Sequence, residues 1–251
     1  MNNYSINPDP TLASTFSIAA RDAATGMLGV AVASRVLAVG ASCPFVQAGV
    51  GAISSQAYLN PGLGVRGLAR LAQGETAAHA LERILAEDEG REWRQVNIVD
   101  SHGGSASFTG KRADPWNGTR HGANYALGGN LLVGEETIAA MERAFLDLEG
   151  HEFGERLLRV LEAADAAGGD RRGKQSSALY IMYRQPVPYI NLRVDDHPEP
   201  IKELRRLFTI GMETGYFAFT KKLSDTLEPR APSENIERQR ALRQNLGIPL
   251  D

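Results

Sequence analysis

Two periodicities run along the chain. Thr15-Phe-Ser-Ile-Ala-Ala and Gly29-Val-Ala-Val-Ala-Ser are short β-prone runs separated by the turn-forming Arg21–Gly26, so Thr15–Arg35 is expected as a hairpin. Phe45–Ser54 is apolar and small almost throughout, as for one strand buried on both faces. The period then lengthens. Asn60-Pro61 opens a helix carrying Leu63, Gly67, Leu68 and Leu71, and Gly74 ends it. Thr76 caps a second helix with Ala77, Ala80, Leu81, Ile84 and Leu85 on one face.

A strand pair follows, Gln95–Val99 and Ala106–Thr109, turned by Gly103-Gly104. Lys111–Asn124 reads as a loop, Tyr125–Leu127 as a strand, and Glu135–Leu148 and Gly154–Ala167 as helices, the second broken by Gly168-Gly169-Asp170. Strands at Ser177–Tyr183 and Tyr189–Val194 precede one long helix from Pro198 to Leu223. Strand runs alternating with helix pairs suggest an α+β layered domain over 15–225, with two sheets face to face and helices outside, not a βαβ repeat. Residues 1–14 read as an arm or prosegment, and 226–251 as a charged tail with a short helix at Glu234–Leu246.

Composition adds exclusions. The 251 residues are 43% hydrophobic and carry a net charge of −3, so a packed core is expected and no basic face for nucleic acid. Cys43 is the single cysteine, which fits a reducing cytosol, and no apolar run long enough for a membrane span or a secretory signal occurs. Homo-oligomerisation is expected from the symmetry habits of soluble proteins.

Several chemistries lack their residues. Gly62-Leu-Gly64-Val-Arg-Gly67 lies inside a helix and follows no strand, so it implies no dinucleotide. His79, His102, His121, His151 and His197 have no metal-ligand spacing, so no metal or other cofactor is expected. Asp195-Asp196-His197 reads better as a helix cap before Pro198 than as a cation site. No G-x-S-x-G elbow is present. One economical chemistry remains: a threonine at a new chain terminus whose own α-amine serves as base. A free α-amine titrates near pH 7.7–8.0, close to the operating range of a general base. Thr15, the first residue of the first core strand, stands where such a nucleophile belongs.

The same residues carry a resemblance. Thr15-Phe-Ser-Ile-Ala-Ala-Arg-Asp with Gly29-Val-Ala-Val-Ala-Ser-Arg35 resembles the opening of the DUF1028 family, assigned to the N-terminal-nucleophile hydrolase superfamily. The likeness continues through Gln56-Ala-x-x-Asn60-Pro61, Arg94-Gln95-Val96-x-x-Val99-Asp100 and Gly129-Asn130-x-x-x-Gly134. It ends in Gly168-Gly-Asp-Arg-Arg-Gly-x-Gln-Ser176 and Leu192-Arg-Val-Asp-Asp-His-Pro198, spanning about residues 15–210. It implies a four-layer αββα sandwich and an amide-bond hydrolase acting on a small molecule or peptide. Thr15 would be the nucleophile, Ser34 and Arg35 its polar neighbours, Gly129-Asn130 the oxyanion donors, and Asp170 and Ser176 the groups orienting the amine.

Plainer readings stand beside these. Asp170 suits a local Asx turn, and Asn130 suits left-handed geometry beside Gly129. Gln56 and Asn60 would line a substrate pocket or cap a helix, and an Asp170–Arg35 pair would satisfy both charges. One departure matters: many chains of the family begin Met-Thr, whereas fourteen residues precede Thr15 here. Its nitrogen is an amide unless Ser14–Thr15 is cut. Two classes therefore stay open, a hydrolase activated by that cleavage and a non-catalytic binding or assembly protein on the same fold.

Overall fold

The computed structural model describes residues 12–13, 15–113 and 116–226, with the single positions Arg240 and Gln244. The tail helix expected at Glu234–Leu246 and most of the arm lie outside the described residues. Among the described residues the strands form two antiparallel sheets. In one, β1 (Leu12–Ala13), β5 (Gly51–Tyr58), β6 (Arg94–Asp100) and β7 (Ser105–Thr109) lie in that order, and β4 (Pro44–Gln47) also pairs with β5. In the other, β11 (Pro188–Val194), β10 (Ser176–Met182), β3 (Leu28–Ser34), β2 (Thr15–Arg21), β9 (Tyr125–Gly129) and β8 (Gly118–Gly122) follow one another.

Helices cover the two outer faces. α1 (Pro61–Ala72) and α2 (Ala77–Ala86) pack on the first sheet, while α3 (Glu135–Asp147), α4 (Phe153–Ala166), α5 (Pro200–Glu213) and α6 (Tyr216–Thr226) lie on the side of the second. The result is the αββα sandwich expected from the sequence. No described helix is long and apolar enough to cross a membrane.

Local signals act as written. Asn60 caps α1, its side chain accepting from Gly62 N at 3.1 Å with Pro61 at the first helical position, and Thr76 accepts from His79 N to cap α2. Three expectations are corrected. Phe45–Ser54 is a hairpin, β4 and β5, turned by Gly49 at φ 69°, a glycine hidden among small apolar residues. The expected Lys111–Asn124 loop contains β8, joined to β9 by a turn in which Asn124 takes φ 68°. The long C-terminal helix is two, separated at Gly215, whose φ of 71° ends α5.

Alternation along the strands sorts side chains to two destinations. Phe16, Ile18 and Ala20 of β2 face α3 and α4 with Leu127, Met141, Phe145, Leu157 and Leu161, whereas Ile53, Val96 and Ile98 face α1 and α2 with Leu63, Leu81 and Ile84. Between the sheets the layer changes along its length. Ala19, Leu28, Val30, Val46, Ala52, Val99 and Ala126 make one end apolar. The other holds Thr15, Ser17, Ser54, Gln56, Gln95 and Asn97, all fully buried.

Candidate active site

A buried layer of neutral polar groups is stabilised as its donors and acceptors meet; each orphan costs about 1–3 kcal/mol, and here Asn97 Oδ1 is left without a partner. Gln56 and Gln95 do most of this pairing. Gln56 Nε2 donates to Gln95 Oε1 (2.7 Å) and Gly128 O (3.2 Å), and reaches the carbonyl of Thr15 at 3.4 Å. Its Oε1 accepts from Ser17 Oγ at 2.5 Å. Gln95 Nε2 donates to Gly129 O (2.9 Å) and Thr109 Oγ1 (2.9 Å), and Gln95 Oε1 also accepts from Asn130 Nδ2 at 3.2 Å. Asn97 Nδ2 donates to Ser54 Oγ at 3.0 Å, and Ser17 Oγ lies 2.8 Å from the same hydroxyl.

Thr15 stands at the end of this layer. In register it lies opposite Ser34, which in turn lies opposite Ser176, so three hydroxyls form one rung across β2, β3 and β10. Thr15 Oγ1 donates to Ser34 Oγ at 3.1 Å, and Val36 N donates to the same oxygen at 3.3 Å. The Thr15 carbonyl accepts from Asn130 N at 3.0 Å. No ionisable side chain among the described residues hydrogen-bonds the Thr15 hydroxyl. Cys43, whose Sγ lies 3.8 Å from Gln56 Oε1, is no rival nucleophile, because burial pushes its thiol up to about 12.

The chain reaches this position by an unusual route. Leu12 and Ala13 pair with Tyr58 and Ala57 at the end of β5, in one sheet, and Thr15 begins β2 in the other. A single residue, Ser14, links the two. Strain collects in the same neighbourhood. Of the four described non-glycine residues with left-handed backbone, Ala57 (φ 67°) follows Gln56, Leu131 (φ 53°) follows Asn130, and Ala38 (φ 53°) lies in the loop after Ser34 and Arg35.

Thr15, Ser34, Gln56, Gly129 and Asn130 are therefore together, and all are buried. Others of the expected set are engaged elsewhere. Ser176 Oγ donates to Val36 O at 2.6 Å and accepts from Val39 N at 3.1 Å, tying down the loop after β3. The expected Asp170–Arg35 pair is replaced: Asp170 accepts from Arg172 N at 2.9 Å and pairs with the Arg172 guanidinium at 3.3 Å, while Arg35 Nη1 donates to Gln175 Oε1 at 3.1 Å. Two residues after Gly168-Gly169, the local Asx bond wins because its partner is already adjacent. The left-handed residue is Leu131, not Asn130. Asn60 acts as the α1 cap, and its side chain also favours the ionised Asp88 carboxyl. His197 accepts from Glu199 N at 3.0 Å while Asp195 pairs with Arg193 and Asp196 with Gln175, so that triplet diverges.

Ser17, Ser54, Gln95 and Asn97 were given no site role by the sequence reading. Their signal was present: Gln95 and Asn97 alternate with Val96 and Ile98, which puts two amides on one buried face.

Comparison with known proteins gives a consistent assignment. Residues 15–204 match the model of a family of unknown function, DUF1028. The chain is similar to the crystal structure of protein SPO2555 from Silicibacter pomeroyi, of the same family, at 32% identity and TM-score 0.73, over 79% of this chain and 89% of that one. Anbu, an ancestral beta-subunit from Yersinia bercovieri, aligns at 13% identity and TM-score 0.37 over 80% of this chain and 96% of that one. No curated protein matches.

Proposed function

The chain belongs to the DUF1028 family, and we propose that it is an N-terminal-nucleophile hydrolase of amide bonds in small molecules or peptides, with Thr15 as nucleophile. The observation that carries this reading is the Thr15 hydroxyl, held by a neutral buried hydroxyl, with no ionisable side chain among the described residues in hydrogen-bond contact. A nucleophile so placed needs a base, and its own α-amine supplies one.

Activation comes first. Thr15 Oγ1 attacks the Ser14 carbonyl, the C–N bond breaks, and an ester links Ser14 to Thr15 Oγ1. Water then hydrolyses that ester, leaving a Ser14 carboxylate and a free Thr15 amine. In turnover the amine takes the Oγ1 proton as oxygen attacks the substrate carbonyl, and returns it to the departing amine. Hydrolysis of the acyl-enzyme restores Thr15. Asn130, whose side-chain amide donates to Gln95 Oε1, serves as an oxyanion donor. Ser34 orients the Thr15 hydroxyl, Gln56 and Gly129 shape the wall behind it, and Arg35, Asp170 and Ser176 hold the surrounding loops. Burial disfavours the ammonium form of the new amine, so the rate should rise through a midpoint at or below about pH 7.7–8.0.

A second reading has its own observation. β1 is paired to β5 and Thr15 is 0% exposed, as a permanently sealed, non-catalytic binding protein would have it. Covalent labelling separates the two: a hydroxyl-directed acylating probe, followed by peptide mapping, should mark Thr15 in the hydrolase. Label confined to other residues, with amide hydrolysis persisting, would remove Thr15 from the mechanism.

A further inference from the structure

We propose that the end of β5, Ala57–Tyr58, is a docking edge for the acyl side of an extended peptide substrate, and that Leu12–Ala13 occupies it in cis as the first such substrate. The inference rests on the nucleophile reading and specifies its substrate class. β5 is covered on this edge in three sections. β4 pairs with Gly51–Ser54, Cys43 O accepts from Ser55 N at 3.0 Å, and Ala57–Tyr58 are met by two residues of β1. A strand of two residues is the least cooperative part of that cover, and addition of a strand to a sheet edge is a general mode of peptide recognition.

Position gives the edge its purpose. The chain leaves it at Ala13 and reaches Thr15 across one residue, a span of roughly 3.3–3.6 Å per residue. A peptide held there by its backbone in the same direction must therefore present its next carbonyl at the Thr15 hydroxyl. The edge is also built to stay fixed. Arg94 Nη1 donates to Tyr58 O at 2.8 Å, and Arg94 is itself held by Asp88 at 2.8 Å, with both side chains largely buried. Ala57 keeps its left-handed backbone at this site although a side chain disfavours it.

Beside Tyr58 lies an aromatic shelf. The Tyr58 and Trp93 rings are 6.4 Å apart, Arg112 stacks 5.4 Å from the Trp93 centroid, and Trp93 is 41% exposed. An exposed indole flanked by arginine favours a peptide with an aromatic or aliphatic residue upstream of the scissile bond.

The test uses the full chain carrying Ala13→Pro, in which proline cannot donate to the β1–β5 ladder, and Leu12→Pro as a second variant should the first fold poorly. The probes are acetyl-Pro-Thr-Leu-Ala-Ser-amide, which copies the arm, the same peptide N-methylated at Leu and Ala, and acetyl-Ser-amide. Calorimetry should show saturable binding of the first peptide to the proline variant, at least tenfold tighter than to the wild-type chain with its arm intact. N-methylation should weaken binding at least tenfold, and Trp93→Ala should weaken the long peptide alone. Absence of saturable binding, or equal binding of the N-methylated peptide, overturns the docking edge. Ammonia release is read separately, on protein already cut to begin at Thr15, so that the α-amine base is present. Hydrolysis of acetyl-Ser-amide with no gain for the long peptide removes the docking edge and keeps the nucleophile. Tight N-methyl-sensitive binding with no ammonia from any probe keeps the edge and removes the nucleophile.

Discussion

Replacing Gln56 by leucine probes the polar layer at its centre. The side chain is fully buried, and its amide touches Gln95, Gly128, Thr15, Ser17 and Cys43. Leucine keeps most of the volume and none of the hydrogen bonds. Three partners retain another contact: Gln95 Oε1 keeps Asn130, Thr15 O keeps Asn130 N, and Ser17 keeps Ser54. About one buried group is thus left unsatisfied outright, at about 1–3 kcal/mol, and the 2.5 and 2.7 Å bonds are the strongest lost. A destabilisation of about 2 kcal/mol follows, which for a domain of this size lowers Tm by roughly 4–8 °C. Urea melts should agree, while Gln73→Leu on the exposed end of α1 should stay within about 0.5 kcal/mol. The double variant with Gln95→Leu should cost less than the two singles together, by at least about 0.5 kcal/mol, because each removes the other's orphan. A neutral Gln56→Leu, or strict additivity, would refute a layer held together by mutual satisfaction.

Asn130→Ala should fold, keep KM and lose about 10²–10³ in kcat if its amide faces the oxyanion; loss of folding with activity per folded molecule intact would make it only Gln95's partner. Cys43, with its thiol raised to about 12, should resist an aromatic disulfide reagent at pH 8 until denaturant is added, and rapid labelling of native protein would contradict its burial. Burial opposes ionisation of Asp88, but Arg94, Gly90 N–H and Asn60 outweigh it and hold the carboxyl below its usual value. Its stabilisation is therefore complete above about pH 3.9 and lost as pH falls through the lowered value, so Asp88→Asn should flatten acid denaturation there. An unchanged acid limb would show the pair to be inert.

Much of this architecture could be read from residue order, for identifiable reasons. Asn60-Pro61 and Thr76 fix helix starts through their own side chains, and the Thr15–Arg35 hairpin carries its turn residues with it. Gly49 failed as a signal because its neighbours are as small and apolar as it is, and Gly215 because α5 and α6 continue one helical pattern across it. The site divides likewise. Thr15 is legible as the start of a strand, and Ser34 as its neighbour in register. Gln95 is not, since its importance arises only when β6 crosses β9 and its amide meets Gln56, Gly129 and Asn130 from two separate segments. Asp170 misled for the opposite reason, because a partner two residues away outcompetes any distant one.

The central claim is that Thr15 cuts the bond before it and then serves as nucleophile, and intact mass spectrometry of the purified full chain tests it most directly. Wild-type protein should convert with time to a species beginning at Thr15, Thr15→Ser should convert more slowly, and Thr15→Ala should keep residues 1–14 indefinitely and hydrolyse no amide. Conversion of Thr15→Ala at the wild-type rate, or amide hydrolysis by a chain that never loses the arm, would contradict it.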